Sequence, residues 1–584
     1  MVRLLVLSVF LVLAYGKGDI SSLTAVFNTG GLRGSIEFSQ VAINQGVNIH
    51  VSLVGGQPKE VFRWAVYNLP TRYDTANPCA VPWIGTMITD LSDTVGLLAS
   101  EEELQMFAPD LHLFDGPDAI VGRTLVLRGI QTGRMACAAV SPQVPPNTYV
   151  AYFHGVVAGH MYVRQSGSYS TVYSQLYWIN GTRKDTLVNW RLLRDDMKFP
   201  STDAERETGP QNGSPPAIYS GREPLSAGKA PNLESAYSYN ILTRLPAMDS
   251  ITQPLRVSLQ HSRTGATLSS ARLKPLAPKH ATGNMGAPFG EAVFHQTSPF
   301  EQTLAIIKFD NLRNGATNFR VSRISLSYRD TQCPPSGATF DPQRHDSLGV
   351  PPPTFGTPDQ YALGDLSGKY GLLIGKDTAY YRILDPTLPL YGPNSIIGRA
   401  LTVYRTDTIP LVCVNIIPVG KKLVTGQVIL NKPISGNIIL SQTANNPDDD
   451  TYISAELCWS EHSNSTVDHN WHIHEQGLQT VRPGHSTTHC QPAGGHYNPD
   501  RADKDGVYFS HCSKWAQFRC EAGDLSSRLE TLSIPPCTHG MAKYHFVDSN
   551  VALSGPSSVL GRSIVIHSAH YGGTRVICGN IDTE

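Results

Sequence analysis

Two histidines one residue apart, His472 and His474 in Asn470-Trp471-His472-Ile473-His474-Glu475, are the residues of this chain whose type and spacing point most directly to chemistry. On a β-strand, residues i and i+2 project from one face, so such a pair can grip a single metal ion. The spacing alone is common in loops and on surfaces. It gains weight from three later pieces: Gly494-Gly495-His496-Tyr497-Asn498-Pro499, Gly561-Arg562-Ser563-Ile564-Val565-Ile566-His567, and Arg575-Val576-Ile577-Cys578.

These side chains need a rigid scaffold, and the rest of the chain reads as β. Short alternating or β-branched runs such as Val47 to Leu53, Arg399 to Val403 and Val428 to Leu430 lie between Gly, Pro and Asn punctuation. With 51 Gly and 41 Pro and few segments of helical period, antiparallel Greek-key sandwiches or barrels are expected. The 584 residues would hold about four domains at roughly 150 residues each.

An internal repeat supports that count. The run from Leu113 to Leu125, containing Gly116-Pro117 and Gly122-Arg123, recurs from Leu390 to Leu401 and from Leu553 to Ile564. A second ladder places Trp64, Trp190, Phe319 and Trp471 at intervals of 126 to 152 residues. The expected division is a signal peptide over residues 1–18 and repeats over 19–145, 146–278, 279–420 and 421–584. The second repeat is degenerate and has no cysteine.

Charge is nearly balanced, 47 basic against 48 acidic residues, which gives no electrostatic case for nucleic acid. The apolar run Leu4 to Leu13 after Arg3 reads as a secretory signal too short to span a bilayer, so a secreted protein without a membrane anchor is expected. Ten cysteines in an exported chain are expected to form disulfides. Sequons at Asn180, Asn212 and Asn464 fit a glycoprotein, the second weakened by Pro215. Met197 to Asn232 and Pro342 to Pro358 read as long surface loops.

The histidine, glycine-arginine and arginine-cysteine pieces, in this order, resemble the active-site framework of the copper-zinc superoxide dismutases. Four such units behind a signal peptide resemble the animal copper-only superoxide dismutase repeat proteins. The resemblance implies an all-β fold of four tandem dismutase-like Greek-key domains. It also implies one copper per chain, in the fourth repeat, held by His472, His474, His496 and His567. The matching positions elsewhere are Ala65, Tyr67 and Arg128 in the first repeat, Arg191 and Leu193 in the second, and Arg320, Ser322, Thr339 and Tyr404 in the third. None of these sets can build the site.

Zinc is not expected, because Glu521 stands where the family's last zinc histidine would be and no histidine lies between Tyr497 and Ser510. On the copper-only pattern Glu521 would accept a hydrogen bond from His496 and fix its tautomer. Asp524 matches Asp90 and Asp365 of the ligandless repeats, so its expected role is to hold a turn. Arg575 matches the anion-guiding arginine, and the seven residues between His567 and Arg575 leave the metal unusually open. The family bridge corresponds to Cys490 with Cys578, repeated by Cys79 with Cys137 and Cys333 with Cys413. Cys458, Cys512, Cys520 and Cys537 have three possible pairings and are expected to staple the loop between His496 and Glu521. The remaining histidines of the repeat, among them His462, His469, His485, His489, His511, His539, His545 and His570, are expected on the surface.

The implied activity is disproportionation of superoxide to O2 and H2O2, with Arg575, Glu521 and His496 as the catalytic set. The competing reading is an extracellular copper carrier or a structural interaction protein. In either, the ligandless repeats are surfaces for other proteins or for self-association.

Overall fold

A computed structural model of the chain describes residues 22–40, 45–57, 59–100, 103–167, 169–179, 187–195, 217–221, 225–226, 237–243, 245–327, 333, 337–345, 349–406, 409–478, 490–504 and 508–584. The signal segment, Asn180, Asn212, His485, His489 and most of the 197–232 loop lie outside them. The described part of that loop contributes two short strands, Tyr219–Ser220 and Leu225–Ser226, that pair with Leu187–Arg194.

The architecture is nearly all β. Strands between residues 22 and 141 form one nine-stranded curled sheet, and those between 147 and 275 a second. Strands between 279 and 418 form a five-stranded and a three-stranded sheet; those between 423 and 583 form sheets of five, three and two strands. Each set begins with a meander, as in Ser22–Thr29, Leu32–Ser39 and Val47–Gly55, then leaves for the opposing layer and returns, which is Greek-key topology. The period-two pattern in Val47–Gly55 explains the layering, since Val47, Ile49, Val51 and Leu53 are buried and the residues between them face outward. The ladder residues Trp64, Trp190, Phe319 and Trp471 are all fully buried, each at the heart of its own core.

All ten cysteines are paired. Cys79–Cys137, Cys333–Cys413 and Cys490–Cys578 repeat one bridge in three units, and the other pairs are Cys458–Cys537 and Cys512–Cys520. Only the last lies in the loop between His496 and Glu521; Cys458–Cys537 instead fastens the end of a core strand. No helix among the described residues is long and apolar enough to cross a membrane.

The Pro342 to Pro358 stretch is irregular and largely exposed where it is described, as expected of a surface loop, but it is anchored at one end. Its end docks on the first unit's hairpin, where Gly31 N donates to Thr357 Oγ1 at 2.8 Å and Gly30 N to Asp359 at 2.9 Å. His469, His511 and His545 are buried rather than on the surface. His469 bonds the His567 carbonyl and Thr466, and His545 Nε2 reaches Ile397 O of the third unit, so buried hydrogen-bond partners hold both rings inside.

Candidate metal centre

The strand Trp471–His474 pairs with Ser563–His567, which pairs with Arg575–Asn580. Its alternation sends Trp471 and Ile473 into the core and His472 and His474 to the other face. His567 enters from the neighbouring strand, its amide bonded to Asn470 O at 2.8 Å. His496 arrives on a loop that bridges to His474. Gly523 locks that loop down: its amide donates to Tyr497 O at 2.7 Å while its carbonyl accepts from Ile473 N at 2.8 Å. A Cβ at Gly523 would sit 2.2 Å from Ile473 O, so only glycine permits this approach.

The four imidazoles converge, with one nitrogen from each lying within 4.8 Å of the others. Three of the nitrogens facing away are hydrogen-bonded, and the fourth, His472 Nε2, lies 3.7 Å from Asp524 Oδ1. His474 Nδ1 donates to Gly494 O, His567 Nδ1 to Gly573 O and His496 Nδ1 to Glu521 Oε2, each at 2.9 Å. These bonds fix the tautomers and leave the Nε2 lone pairs pointing inward. His474 Nε2, His567 Nε2 and His472 Nδ1 are buried without a hydrogen-bond partner. Buried polar atoms rarely stay unpaired, and a convergent set of imidazole nitrogens suits copper; the residues present therefore fit the metal. Burial, reinforced by the neighbouring imidazoles, pushes His472 and His567 below the usual histidine range and His474 down to about 4. All three rings are neutral at physiological pH.

Glu521 is buried and uses both oxygens. Oε2 accepts from His496 and from Lys504 Nζ at 2.7 Å, and Oε1 accepts from Asn498 Nδ2 at 3.1 Å. Burial alone would raise its pKa, but the bonds from His496 and Lys504 hold it below the usual carboxylate value. Lys504 Nζ also lies 3.1 Å from His496 Nδ1. Neither Lys504 nor Asn498 was singled out from sequence. A lone lysine in a loop carries no spacing signal.

Asp524 caps the short helix Leu525–Arg528, accepting from Ser527 N, and also accepts from Tyr508 at 2.9 Å. Asp90 and Asp365 cap short helices in the same way. Arg575 donates to Cys490 O and Gly494 O, each at 2.6 Å, sharing the latter with His474. In the third unit the corresponding space is filled. Arg320 lies 4.1 Å over the Tyr404 ring and bonds Thr339, while Ser322 bridges to Thr339 as His474 does to His496.

A family model described as copper/zinc superoxide dismutase matches residues 434–581. The superoxide dismutase [Cu-Zn] of Candida glabrata is 31% identical over 135 residues, 23% of this chain and 71% of that protein. The Saccharomyces cerevisiae enzyme is 29% identical over the same share of each. The chain belongs to the copper/zinc superoxide dismutase family. A solved structure of a point mutant of Candida albicans superoxide dismutase 5 is also similar, at 22% identity over 27% of this chain and 90% of that one, with a TM-score of 0.19. This family membership makes the chain a dismutase-type oxidoreductase protein, built from Greek-key β units, whose family implies copper. Five disulfides with no free cysteine fit an extracellular protein.

Proposed function

We propose that the chain is a secreted, copper-only superoxide dismutase with a single copper in its fourth unit, held by His472, His474, His496 and His567. The observation that carries this reading is the convergence of one nitrogen from each of four imidazoles, three of those nitrogens buried without a partner, while the outer nitrogens of His474, His496 and His567 are hydrogen-bonded. Copper bound there would supply one-electron redox cycling.

The chain's own residues do the rest. Arg575, fixed by two carbonyls beside His474, offers a guanidinium to an approaching anion such as superoxide. His496 holds its Nδ1 proton against Glu521, whose charge favours that tautomer. Lys504 already supplies that carboxylate with a positive charge, which favours a site without zinc. Arg320 with Tyr404, and Ala65 with Arg128, leave no comparable ligand set in the third and first units, which favours one copper per chain.

The test is metal analysis with superoxide decay on copper-loaded protein. One copper, no zinc and accelerated decay that vanishes in His472→Ala and His567→Ala are expected. Copper retention without accelerated decay would make the protein a copper carrier instead.

A further inference from the structure

On the outer face of the third unit two histidines stand side by side. His280 lies in the strand Lys279–Gly286 and His295 in Gly290–Gln296, and the two are direct partners in the antiparallel register. Their ring centroids are 4.3 Å apart, the planes are inclined by 32°, and the two Nδ1 atoms are 3.1 Å apart. His280 is exposed and His295 half-buried, so the pair is open to solvent. Neither strand is an edge: Lys279–Gly286 also pairs with Ile417–Pro418, and Gly290–Gln296 with Thr303–Phe309. Backbone pairing on both sides therefore sets the spacing of the two rings.

Alternation puts Thr282, Val293, Leu304 and Ile417 on the same face, and none of these carries a charge that would compete for either ring. The hydrogen bond between the Nδ1 atoms requires one ring to carry its proton on Nδ1 and the other on Nε2. Burial, reinforced by His280, pushes His295 below the usual histidine range, so that ring is neutral at physiological pH. Two imidazole nitrogens bound to one ion at roughly 2.0 to 2.1 Å stand about 2.8 to 3.4 Å apart when they take neighbouring coordination positions. The 3.1 Å between these Nδ1 atoms falls inside that interval, so an ion can enter with little movement of either ring.

We infer that His280 and His295 form a second metal site, which takes one divalent transition-metal ion through both Nδ1 atoms and completes its coordination with water. The ion replaces the proton between the rings, and the ring that held this proton takes the Nε2–H form, so no net proton leaves the pair. Imidazole ligands suit Cu2+, Ni2+ and Zn2+, with Cu2+ bound most tightly. Two ligands on an open face make a labile site that a chelating column empties, whereas four converging imidazoles retain their metal. The site is thus distinct from the copper centre of the fourth unit and does not depend on dismutase activity.

The test is calorimetric titration of the full-length, copper-loaded protein with Ni2+ after passage over a chelating column. One further Ni2+ per chain is expected, with a higher unfolding midpoint because the ion binds the folded pairing of the two strands. His280→Ala and His295→Ala should each weaken this Ni2+ about a hundredfold, since the second bond of a chelate is intramolecular. Cu2+ in place of Ni2+ should bind more tightly and be weakened by the same substitutions. Should either alanine variant unfold, His280→Gln keeps a polar side chain at the exposed position and still must lose Ni2+ affinity. The difference between wild type and variants isolates this site from every other histidine of the chain. No further Ni2+ in the wild type, or equal Ni2+ affinity in wild type and His280→Gln, would overturn the assignment and leave the pair a hydrogen bond between strands.

Discussion

The ammonium of Lys504 lies 2.7 Å from Glu521 Oε2, the same oxygen that accepts the His496 Nδ1 bond at 2.9 Å. One carboxylate oxygen thus serves a ring on the metal side and a fixed cation on the other. Removing the cation in Lys504→Gln leaves a buried carboxylate with less to hold it ionised, so Glu521 protonates at higher pH. The acid limb of the superoxide decay profile is expected to rise by roughly one pH unit with copper content unchanged. A limb that stays in place would uncouple Lys504 from the site.

Glu521→Gln keeps the shape and removes the charge. Copper should remain bound while the decay rate falls about tenfold or more, the usual consequence of losing a carboxylate behind a ligating histidine. Metal content and rate measured on the same sample check this, and an unchanged rate would remove Glu521 from the mechanism.

Gly523→Ala should loosen the loop that carries His496. The new Cβ would meet Ile473 O at 2.2 Å and Tyr497 N at 2.8 Å, and both are backbone atoms. A loss of about 1 to 3 kcal/mol in stability is expected from the forced displacement. Copper affinity, measured by competition with a chelator, should fall with it.

Arg575→Lys keeps a positive charge but not the planar fork that grips Cys490 O and Gly494 O. The decay rate should fall severalfold, and its dependence on ionic strength should become shallower as the charge is no longer held at one place. Rates across a salt series give both quantities.

Acid should weaken the junction of the third and fourth units. Although burial opposes it, the Lys279 ammonium holds Asp449 down to about 2, below the unfolded value near 4. The stability this supplies is complete above the unfolded value and is lost as pH falls through the folded one, an effect of about 2 kcal/mol between roughly pH 5 and pH 2. Lys279→Met leaves Asp449 and Asp450 without that partner and should cost about 3 to 5 kcal/mol at pH 7. Denaturant midpoints at neutral and acid pH measure both, and the variant should show the smaller pH dependence.

The pairing of His472 and His474 was readable from their spacing, since residues two apart share a strand face. His496 and His567 were placed by resemblance to the family's motifs, and the structure brings all four rings together. Glu521 could be placed because Cys520 and Asp524 frame it in a recognisable segment. Lys504 and the burial of His545 were not readable, since each depends on what another loop or unit brings alongside. His545 illustrates the point: it lies in a strand of the fourth unit, yet its hydrogen-bond partner, Ile397, belongs to the third. Repetition in the sequence announces the units but not the faces they press together.

The Lys279 contact also bears on how this chain can be cut or shuffled. Tyr452 and Val547 of the fourth unit belong to the apolar core of the third, and Asp449 and Asp450 take their counter-charge from it. Excising the histidine-bearing unit would strip it of a neighbour that neutralises and covers it. Beads on a string are a poor image for this chain, whose last two units share one apolar core and each other's counter-charges.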